Sequence, residues 1–155
     1  MAGQAREARL RRKDFPRFIS IATRWGDNDV YGHVNNVVYY AFFDTAVNRH
    51  LMENGALDVA TSDTVGLVVS NSCTFFASVA FPETIEVGLR VERLGRSSVT
   101  YQLGVFRAGE AAAAAQGRFT HVYVTRADQR PAAIPEAVLR ALEGLRVAIP
   151  PPHMI

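Results

Sequence analysis

Apolar and polar side chains alternate in two segments of the second half of the chain, residues 85–93 and 98–106. Such alternation is typical of strands that bury one face. The apolar positions are Ile85, Val87, Leu89 and Val91, followed by Val99, Tyr101, Leu103 and Val105. The short connection "LGRS" between the segments predicts a hairpin.

Three further segments, residues 17–25, 66–79 and 111–126, are predicted as strands. The first alternates well and is broken by the glycine and acidic residues of "GDND". The last begins with an alanine run, which favours helix by propensity alone. Its β-branched and aromatic neighbours favour a strand instead.

The hydrophobic period changes to helical spacing between residues 36 and 54. The apolar positions at this spacing are Tyr39, Phe42, Phe43, Ala46, Val47 and Leu51. Asn35 or Asn36 is a candidate N-cap, and the Asn54–Gly55 pair is a candidate stop. Because the first turns are apolar nearly all round, we expect this helix to be buried.

A short closing helix is predicted to begin at Pro135, with Glu136 in its first turn. Its apolar stripe consists of Val138, Leu139 and Leu142. The order of elements is therefore strand, buried helix, four strands and short helix. This order predicts the α+β class, with a five-stranded antiparallel sheet wrapped around a central helix.

The first residues carry a concentration of basic side chains, which predicts a flexible leader over residues 1–16 and one domain over 17–155. A transit peptide is the alternative, but Glu7, Asp14 and the lack of a clear amphipathic pattern weaken it. The six basic residues are Arg6, Arg9, Arg11, Arg12, Lys13 and Arg17. No apolar run is long enough for a membrane helix, so we expect a cytoplasmic protein that does not bind membranes.

Composition narrows the function classes further. The chain has 155 residues, 48% of them hydrophobic and 21% charged, and a net charge of +2, which does not indicate nucleic-acid binding. The single Cys73 excludes an intramolecular disulfide and is expected to be a small buried residue. The four histidines lack short metal-binding spacing, so we expect no metal and no other cofactor.

The polar cluster "RWGDNDVYGHVNNVVYY" between the first strand and the buried helix is the strongest functional signal. It resembles the first motif of hotdog-fold thioesterases of the 4-hydroxybenzoyl-CoA thioesterase-like family. The resemblance extends to "FPETIEV", "VERLGRSSVTY" and "GRFTHVYVTRADQRPAAIPEAV", and covers roughly residues 17–146. It implies a single hotdog fold and acyl-CoA thioesterase activity, with coenzyme A as part of the substrate.

The resemblance also implies roles for particular positions. Asp29 matches the catalytic carboxylate, and the backbone amide of Asn36 matches the group that faces the thioester carbonyl. His33 joins them as a candidate catalytic residue. The residues assigned to substrate binding are Tyr31, Tyr39, Arg93, Arg96, Ser97 and Ser98, the last four lying where relatives hold the nucleotide of coenzyme A. Members of the family form homodimers or homotetramers with sites between chains.

Related plant thioesterases that act on acyl carrier protein use an Asp-x-Asn-x-His arrangement in this motif. Asp29 and His33 match it, but Tyr31 stands where the asparagine would be, so the role of His33 stays open. Hydratases of the same fold need a different Asp and His spacing and an added proline, which "DNDVYGH" lacks. A dehydration reaction is therefore not expected.

The local chemistry suits thioester cleavage without reference to any family. The start of a buried helix offers unpaired N–H groups and a positive dipole end, which stabilise an oxyanion. Asp29 precedes it by seven residues across a glycine turn and could attack the carbonyl or deprotonate water. Asp27 is expected to stabilise the turn, and Asn35 and Asn36 to fix the helix start.

Several alternatives remain at the level of the sequence. Arg90, Arg93 and Arg96 could bind phosphates, or the hairpin that carries the last two could simply be solvated. The substrate could be an acyl-carrier-protein thioester, whose acidic surface the basic leader would meet. The third possibility is a non-catalytic hotdog module that binds acyl-CoA.

Overall fold

The fold consists of five strands and two α-helices in the computed structural model, which describes residues 7–58 and 60–147. In chain order the elements are β1 (Arg17–Ala22), α1 (Val38–Glu53), β2 (Thr64–Phe75), β3 (Thr84–Leu94), β4 (Ser98–Arg107), β5 (Ala115–Thr125) and α2 (Glu136–Glu143). Short 3-10 turns at Arg12–Asp14 and Trp25–Asp27 flank β1.

The five strands form one antiparallel sheet in the order β1-β3-β4-β5-β2, with α1 packed against one face. The prediction of an α+β hotdog fold, a five-stranded antiparallel sheet around a central helix, is confirmed. Some strands end at other residues than those predicted from the sequence. The first strand stops at Ala22 because Trp25–Asp27 forms a 3-10 turn, and the last begins at Ala115 because most of the alanine run lies in the preceding loop.

The helix α1 is buried as expected, and its six predicted apolar positions all lie in the core. Its start differs from the prediction, because the N-cap is Val37 and no side chain caps the helix there. The Asn35 carbonyl accepts a hydrogen bond from the amide of Val38 at 2.9 Å. The first turn therefore obtains its partner from the backbone of the preceding loop, not from an asparagine N-cap at 35 or 36.

Gly117 of β5 lies in close contact with both its neighbouring strand β2 and the helix α1. A Cβ at this position would lie 1.9 Å from the carbonyl oxygen of Ser72 on β2 and 2.8 Å from the ring of Phe43 on α1. Only glycine fits such a contact, since real Cβ atoms do not approach other heavy atoms so closely. Gly117 thus lets the sheet pack tightly around the helix.

The opposite face of the sheet is covered by the N-terminal segment, where a flexible leader was predicted. Phe15 is buried on a pair of facing glycines, Gly88 of β3 and Gly104 of β4. The amide of Leu10 and the carbonyl of Ala8 both bond to the side chain of Gln116. The flexible leader over residues 1–16 stays a prediction. In the structure its part from Ala8 onward contacts the sheet through Phe15 and these bonds, and residues 1–6 lie outside the described residues.

The strand β2 lies at the edge of the sheet and pairs with β5 on one side only. A break in register between Val68 and Ser70 places a bulge at Val69. Its exposed apolar side chains are Leu67, Val68, Val69 and Phe75. A long, apolar and open edge is a surface that a second strand can pair with.

Substitution of Gly117 by alanine tests the packing of helix on sheet. We expect Gly117→Ala to lower the free energy of unfolding by about 2 kcal/mol or more, since the new methyl group must push back the backbone of β2. Chemical denaturation of the purified protein measures the change.

The matched control is Gly144→Ala at the end of α2, where a Cβ would meet no atom within 4 Å and φ is −69°. This change should be neutral or slightly stabilising. Equal effects of the two substitutions would show that the close approach at Gly117 carries no special packing constraint.

Candidate active site

The loop between β1 and α1 is anchored by a buried carboxylate. Asp27 is 2% exposed, and its Oδ2 accepts the backbone N–H of Arg24 at 2.7 Å. Its Oδ1 accepts Nη2 of the same arginine at 3.0 Å, and its carbonyl accepts the amide of Asn35 at 2.9 Å. Because a buried charge requires such partners, Asp27 is committed to holding the loop.

The next acidic residue, Asp29, lies in a tight turn and is only half-buried. Its backbone N–H donates to the carbonyl of His33 at 2.8 Å, and its carbonyl accepts from Gly32 at 3.1 Å. Gly32 has φ +81°, a conformation that favours glycine. One carboxylate oxygen, Oδ1, accepts the N–H of Tyr31 at 2.8 Å. Asp29 thus has a fixed backbone and a carboxylate that reaches solvent.

The segment that leads into α1 is fixed by backbone bonds on both sides. Val34 is buried, and its amide donates to the carbonyl of Val79 at 2.8 Å. Among the described residues, the amide of Asn36 donates no hydrogen bond, and the amide of Val37 has only a long bond of 3.3 Å to Oδ1 of Asn35. A free backbone donor therefore stands at the positive end of a buried helix.

These groups line one groove with a volume of about 340 Å³. It is bounded by the loop, the start of α1 and the segment that follows β2. The lining residues are Asp29, His33, Val34, Asn36, Tyr39, Phe75, Phe76, Ala77 and Ser78. The structure thus brings together four of the predicted site residues, Asp29, His33, Asn36 and Tyr39.

The groove has one wall made of aromatic rings. The Tyr39 ring packs edge-on against Phe75, with ring centroids 4.9 Å apart. Burial raises the pKa of Tyr39 to about 12, while a hydrogen bond with the Val79 backbone opposes the shift. The phenol is therefore protonated at neutral pH.

The far wall, residues 75–78, was missed as part of the site because the whole of 66–79 was predicted as strand. The strand β2 ends at Phe75, and residues 76–78 continue as a loop beside the helix start. Phe76 and Ala77 both donate backbone N–H groups to the carbonyl of Ala114. Ser78 and the nearby Pro82 were the only local indications of a loop here.

The other predicted substrate residues do not line this groove within the same chain. Tyr31 is 82% exposed and points into solvent. Arg93, Arg96, Ser97 and Ser98 lie at the β3–β4 turn, at the end of the sheet opposite to Asp29. The length of β3 separates the two ends by about 33 Å, since a strand rises about 3.3 Å per residue.

Arg90, considered as a phosphate ligand with these residues, has another role. It is buried, and its Nε donates to the Oε1 of Gln102 at 2.8 Å, while Nη1 donates to the carbonyl of Asp14 at 3.0 Å. Its guanidinium also lies 5.5 Å from the centre of the Phe15 ring. Arg90 therefore holds the N-terminal segment on the sheet and does not face the solvent.

The groove combines a carboxylate, an imidazole and a free helix-start amide. A carbonyl group placed between Asp29 and the Asn36 amide would meet a base or nucleophile on one side and a hydrogen-bond donor on the other. Within residues 7–58 and 60–147 no group of three or more His, Cys, Asp or Glu side chains is arranged to hold a metal ion. In the same ranges, no helix has the length and apolar character needed to cross a bilayer.

Comparisons with known proteins identify the family of the chain. The sequence model of the thioesterase-like superfamily matches residues 23–142. The solved PA5185 protein of Pseudomonas aeruginosa strain PAO1 is 56% identical, with a TM-score of 0.87 over 90% of this chain and 97% of that one. The PA2801 protein of Pseudomonas aeruginosa is 27% identical, with a TM-score of 0.75 over 82% and 98%. YsmA of Bacillus subtilis (strain 168) is 25% identical over 97 aligned residues. The alignment covers 62% of this chain and 65% of YsmA, so the chain spans just under two thirds of that relative's length.

The two acidic residues of the loop should differ in their effect on stability. We expect Asp27→Asn to lower the free energy of unfolding by about 2 kcal/mol, because an amide presents N–H groups to the donors of Arg24 inside the protein. Asp29→Asn should change it by less than about 0.5 kcal/mol, since an amide oxygen can still accept the N–H of Tyr31.

Urea denaturation of both variants beside the wild type measures these differences. A loss for Asp29→Asn as large as that for Asp27→Asn would show that Asp29 is a structural residue of the loop.

Proposed function

The chain belongs to the thioesterase-like superfamily, and on that premise we propose that it hydrolyses acyl-CoA thioesters to the free acid and coenzyme A. Family membership confirms the resemblance drawn from the "DNDVYGHVNN" segment, and with it the prediction that the chain belongs to a family of thioester hydrolases. One observation supports the groove at the start of α1 as the place of this reaction. The Asp29 carboxylate and the free Asn36 amide line the same groove.

In the proposed reaction the thioester carbonyl oxygen accepts a hydrogen bond from the Asn36 amide. The carbonyl carbon is attacked either by a water molecule that Asp29 deprotonates or by the Asp29 carboxylate itself. Negative charge collects on the oxygen that the helix start stabilises. The C–S bond then breaks, the thiolate leaves and takes a proton, and the acid is released directly or after water cleaves an anhydride with Asp29.

His33 contributes at the open side of the groove in this proposal. Its ring is exposed, and its carbonyl holds the amide of Asp29. An imidazole at this place can pass a proton to the departing thiolate. Tyr39, which stays protonated, lines the inner wall beside Phe75.

A second candidate function, hydrolysis of acyl-carrier-protein thioesters, is favoured by the surface beside the groove. Arg24, Trp25, Val30 and Tyr31 are all strongly exposed there. An exposed apolar rim with one arginine, whose guanidinium is bonded to Asp27, suits a contact with a carrier protein. Both substrates present the acyl group on the same kind of thiol arm, so one groove can serve either.

We also propose a homodimer formed through the open edge of β2. A dimer is the smaller of the two expected assemblies, homodimer and homotetramer. A two-fold axis across this edge would pair β2 with its own copy in antiparallel orientation. The β3–β4 turn with Arg93 and Arg96 would then lie near the groove of the partner subunit. The groove of its own chain is about 33 Å away, at about 3.3 Å per residue of β3. Arginine side chains there would suit the phosphates of coenzyme A. Since acyl-CoA esters form inside cells, a cytoplasmic location belongs to the same proposal.

The test of catalysis compares the wild type with Asp29→Asn. We expect kcat to fall about 100-fold to 10,000-fold in the variant, because an amide is neither a base nor a nucleophile. Thiol release is followed on aryl, short, medium and long acyl-CoAs and on the matching acyl carrier protein thioesters.

The control is Asp128→Asn, an exposed aspartate in the turn after β5. It should leave kcat unchanged. Wild-type turnover of carrier-protein thioesters alone would favour the second candidate, and absence of turnover on both classes would contradict thioester hydrolysis.

The test of the dimer uses charges at Val69, which is 59% exposed near the middle of β2. In an antiparallel pair about a two-fold axis this position lies close to its own copy. We expect Val69→Glu or Val69→Lys alone to give monomers in light-scattering measurements, because like charges meet, and a mixture of the two to restore dimers. Dimers that persist in each single variant would place the interface elsewhere.

A further inference from the structure

A small pocket of about 140 Å³ adjoins the groove at Ala77, which lines both spaces. Its charged side chains come from Arg9 of the N-terminal segment and from Arg107 and Glu110. A larger hollow of about 370 Å³, lined in part by His121, lies at the other end of α1 and does not border the far wall of the groove. The small pocket therefore brings the N-terminal segment next to the proposed site of reaction.

The far wall of the groove depends on a neighbouring loop for its position. Residues 76–78 follow β2 and lie outside the strand pairing. The amides of Phe76 and Ala77 instead donate to one acceptor, the carbonyl of Ala114, at 2.8 and 3.0 Å. Ala114 itself precedes the first residue of β5 and is bonded to β4 through the carbonyl of Val105 at 2.7 Å. The wall is thus held by the loop ahead of β5.

The N-terminal segment holds this loop through two consecutive residues. The carbonyl of Leu10 accepts the amide of Ala113 at 2.9 Å, and Nε of Arg9 donates to the carbonyl of Ala113 at 2.7 Å. Because Ala113 is fully buried, these two bonds supply the partners that its backbone groups need. Gln116 of β5 holds the segment in turn, since its side chain bonds to the amide of Leu10 at 2.7 Å and the carbonyl of Ala8 at 2.9 Å.

Arg9 also contacts the wall directly. Its guanidinium lies 5.4 Å from the centre of the Phe76 ring, within the range of cation–π attraction. The preceding ring, Phe75, packs edge-on against Tyr39 of α1. The two aromatic residues of the wall are therefore fixed by two different elements, Phe75 by the helix and Phe76 by the N-terminal segment.

We propose that Arg9 is a positioning residue of the thioesterase, which fixes the far wall of the groove through Ala113 and Phe76. The wall in turn holds the thioester carbonyl against the carboxylate and the helix-start amide. This inference rests on the proposed function and adds to it a residue ahead of the region matched by the family, 23–142. Arg9 does not line the groove and does not touch the reacting atoms. Misplacement of a reacting group by about 1 Å can slow a reaction about 100-fold, so a modest shift of the wall affects kcat.

The chemistry of arginine suits this place. A guanidinium is planar, so it can cover an aromatic ring while its Nε–H points to a carbonyl group. Lysine carries a single ammonium group on a flexible stem and has no such fork. A lysine in place of Arg9 should therefore keep a cation near Phe76 but lose the fixed bond to the Ala113 carbonyl.

The first experiment does not depend on hydrolysis. Amide hydrogen exchange is measured by NMR in the wild type, Arg9→Ala and Lys13→Ala. We expect the amides of Phe76 and Ala77 to exchange about tenfold faster in Arg9→Ala, because the loop and the ring that hold the wall have both lost a contact. The amides of β3 should keep their wild-type rates, which shows that the sheet is intact.

Lys13→Ala is the matched control, because it removes one positive charge from the same segment. Lys13 is exposed and lies in the 3-10 turn Arg12–Asp14. This change should leave the exchange of the wall as in the wild type. Unchanged exchange of Phe76 and Ala77 in Arg9→Ala would overturn the proposal. Equal acceleration in the wall and in β3 would also overturn it, because the effect would then be a general loss of stability.

The second experiment separates positioning from binding of the substrate. One acyl group is presented on two thiols, coenzyme A and N-acetylcysteamine, which lacks phosphates, at a temperature where all variants are folded. On acyl-CoA, Arg9→Ala should lower kcat about tenfold and change KM less than about threefold. The kcat/KM of the truncated thioester should fall by the same factor. Arg9→Lys should keep part of kcat, and Lys13→Ala all of it.

The outcomes of this comparison are distinct. An unchanged kcat in Arg9→Ala would overturn the positioning role. A loss confined to the coenzyme A thioester, with a raised KM, would overturn it as well and would identify Arg9 as a ligand of a substrate phosphate. If the wild type hydrolyses neither thioester, the proposed function fails, and hydrogen exchange alone decides whether Arg9 holds the wall.

The route through the aromatic ring is tested by combining substitutions. Phe76→Leu keeps an apolar side chain in the wall and removes the ring under the guanidinium. If Arg9 acts through this ring, Arg9→Ala should lower kcat by a smaller factor in the Phe76→Leu protein than in the wild type. Losses that simply multiply in the double variant would overturn the assignment of Phe76 as the connection.

Discussion

The close contact between one buried helix and the sheet that curves around it is the constraint on which the rest of this structure depends. At Gly117 the Ser72 carbonyl of β2 and the Phe43 ring of α1 leave no space for a side chain. With the helix fixed against the sheet, its two ends open onto two separate hollows. The positive end lies beside Asp29, and the other end lies above His121. Packing, not local sequence, therefore decides where the two hollows lie.

The loop before the helix divides its acidic residues between two tasks. Asp27 is buried and fully engaged with Arg24, so it fixes the path of the chain. Asp29 keeps a solvent-facing carboxylate because its turn is held through the backbone by His33 and Gly32. The two side chains, two positions apart, thus differ in environment: Asp27 is buried and paired with Arg24, whereas Asp29 is half-buried beside the groove. This separation allows a polar cluster to stand next to an apolar core with its buried carboxylate paired.

Elements with strong local periodicity were predictable from the sequence, because burial on one face imposes the period. The strands β3 and β4 and the helix α1 are examples, and Asp29 and Asn36 follow from their place before that helix. Phe75–Ser78 was not predictable as a wall of the groove, since its position depends on how β2 ends against the helix. The packing of Phe15 on Gly88 and Gly104 was not predicted, because the sequence does not show that these two glycines face each other on paired strands.

The N-terminal segment has a practical consequence for the boundaries of this domain. The family match begins at residue 23, after the segment that covers the outer face of the sheet. A protein cut at that point would lose β1 and would leave Gly88 and Gly104 under water instead of under the Phe15 ring. It would also free the guanidinium of Arg90 from the Asp14 carbonyl. The region matched by the family therefore leaves out the segment that covers the outer face of the sheet.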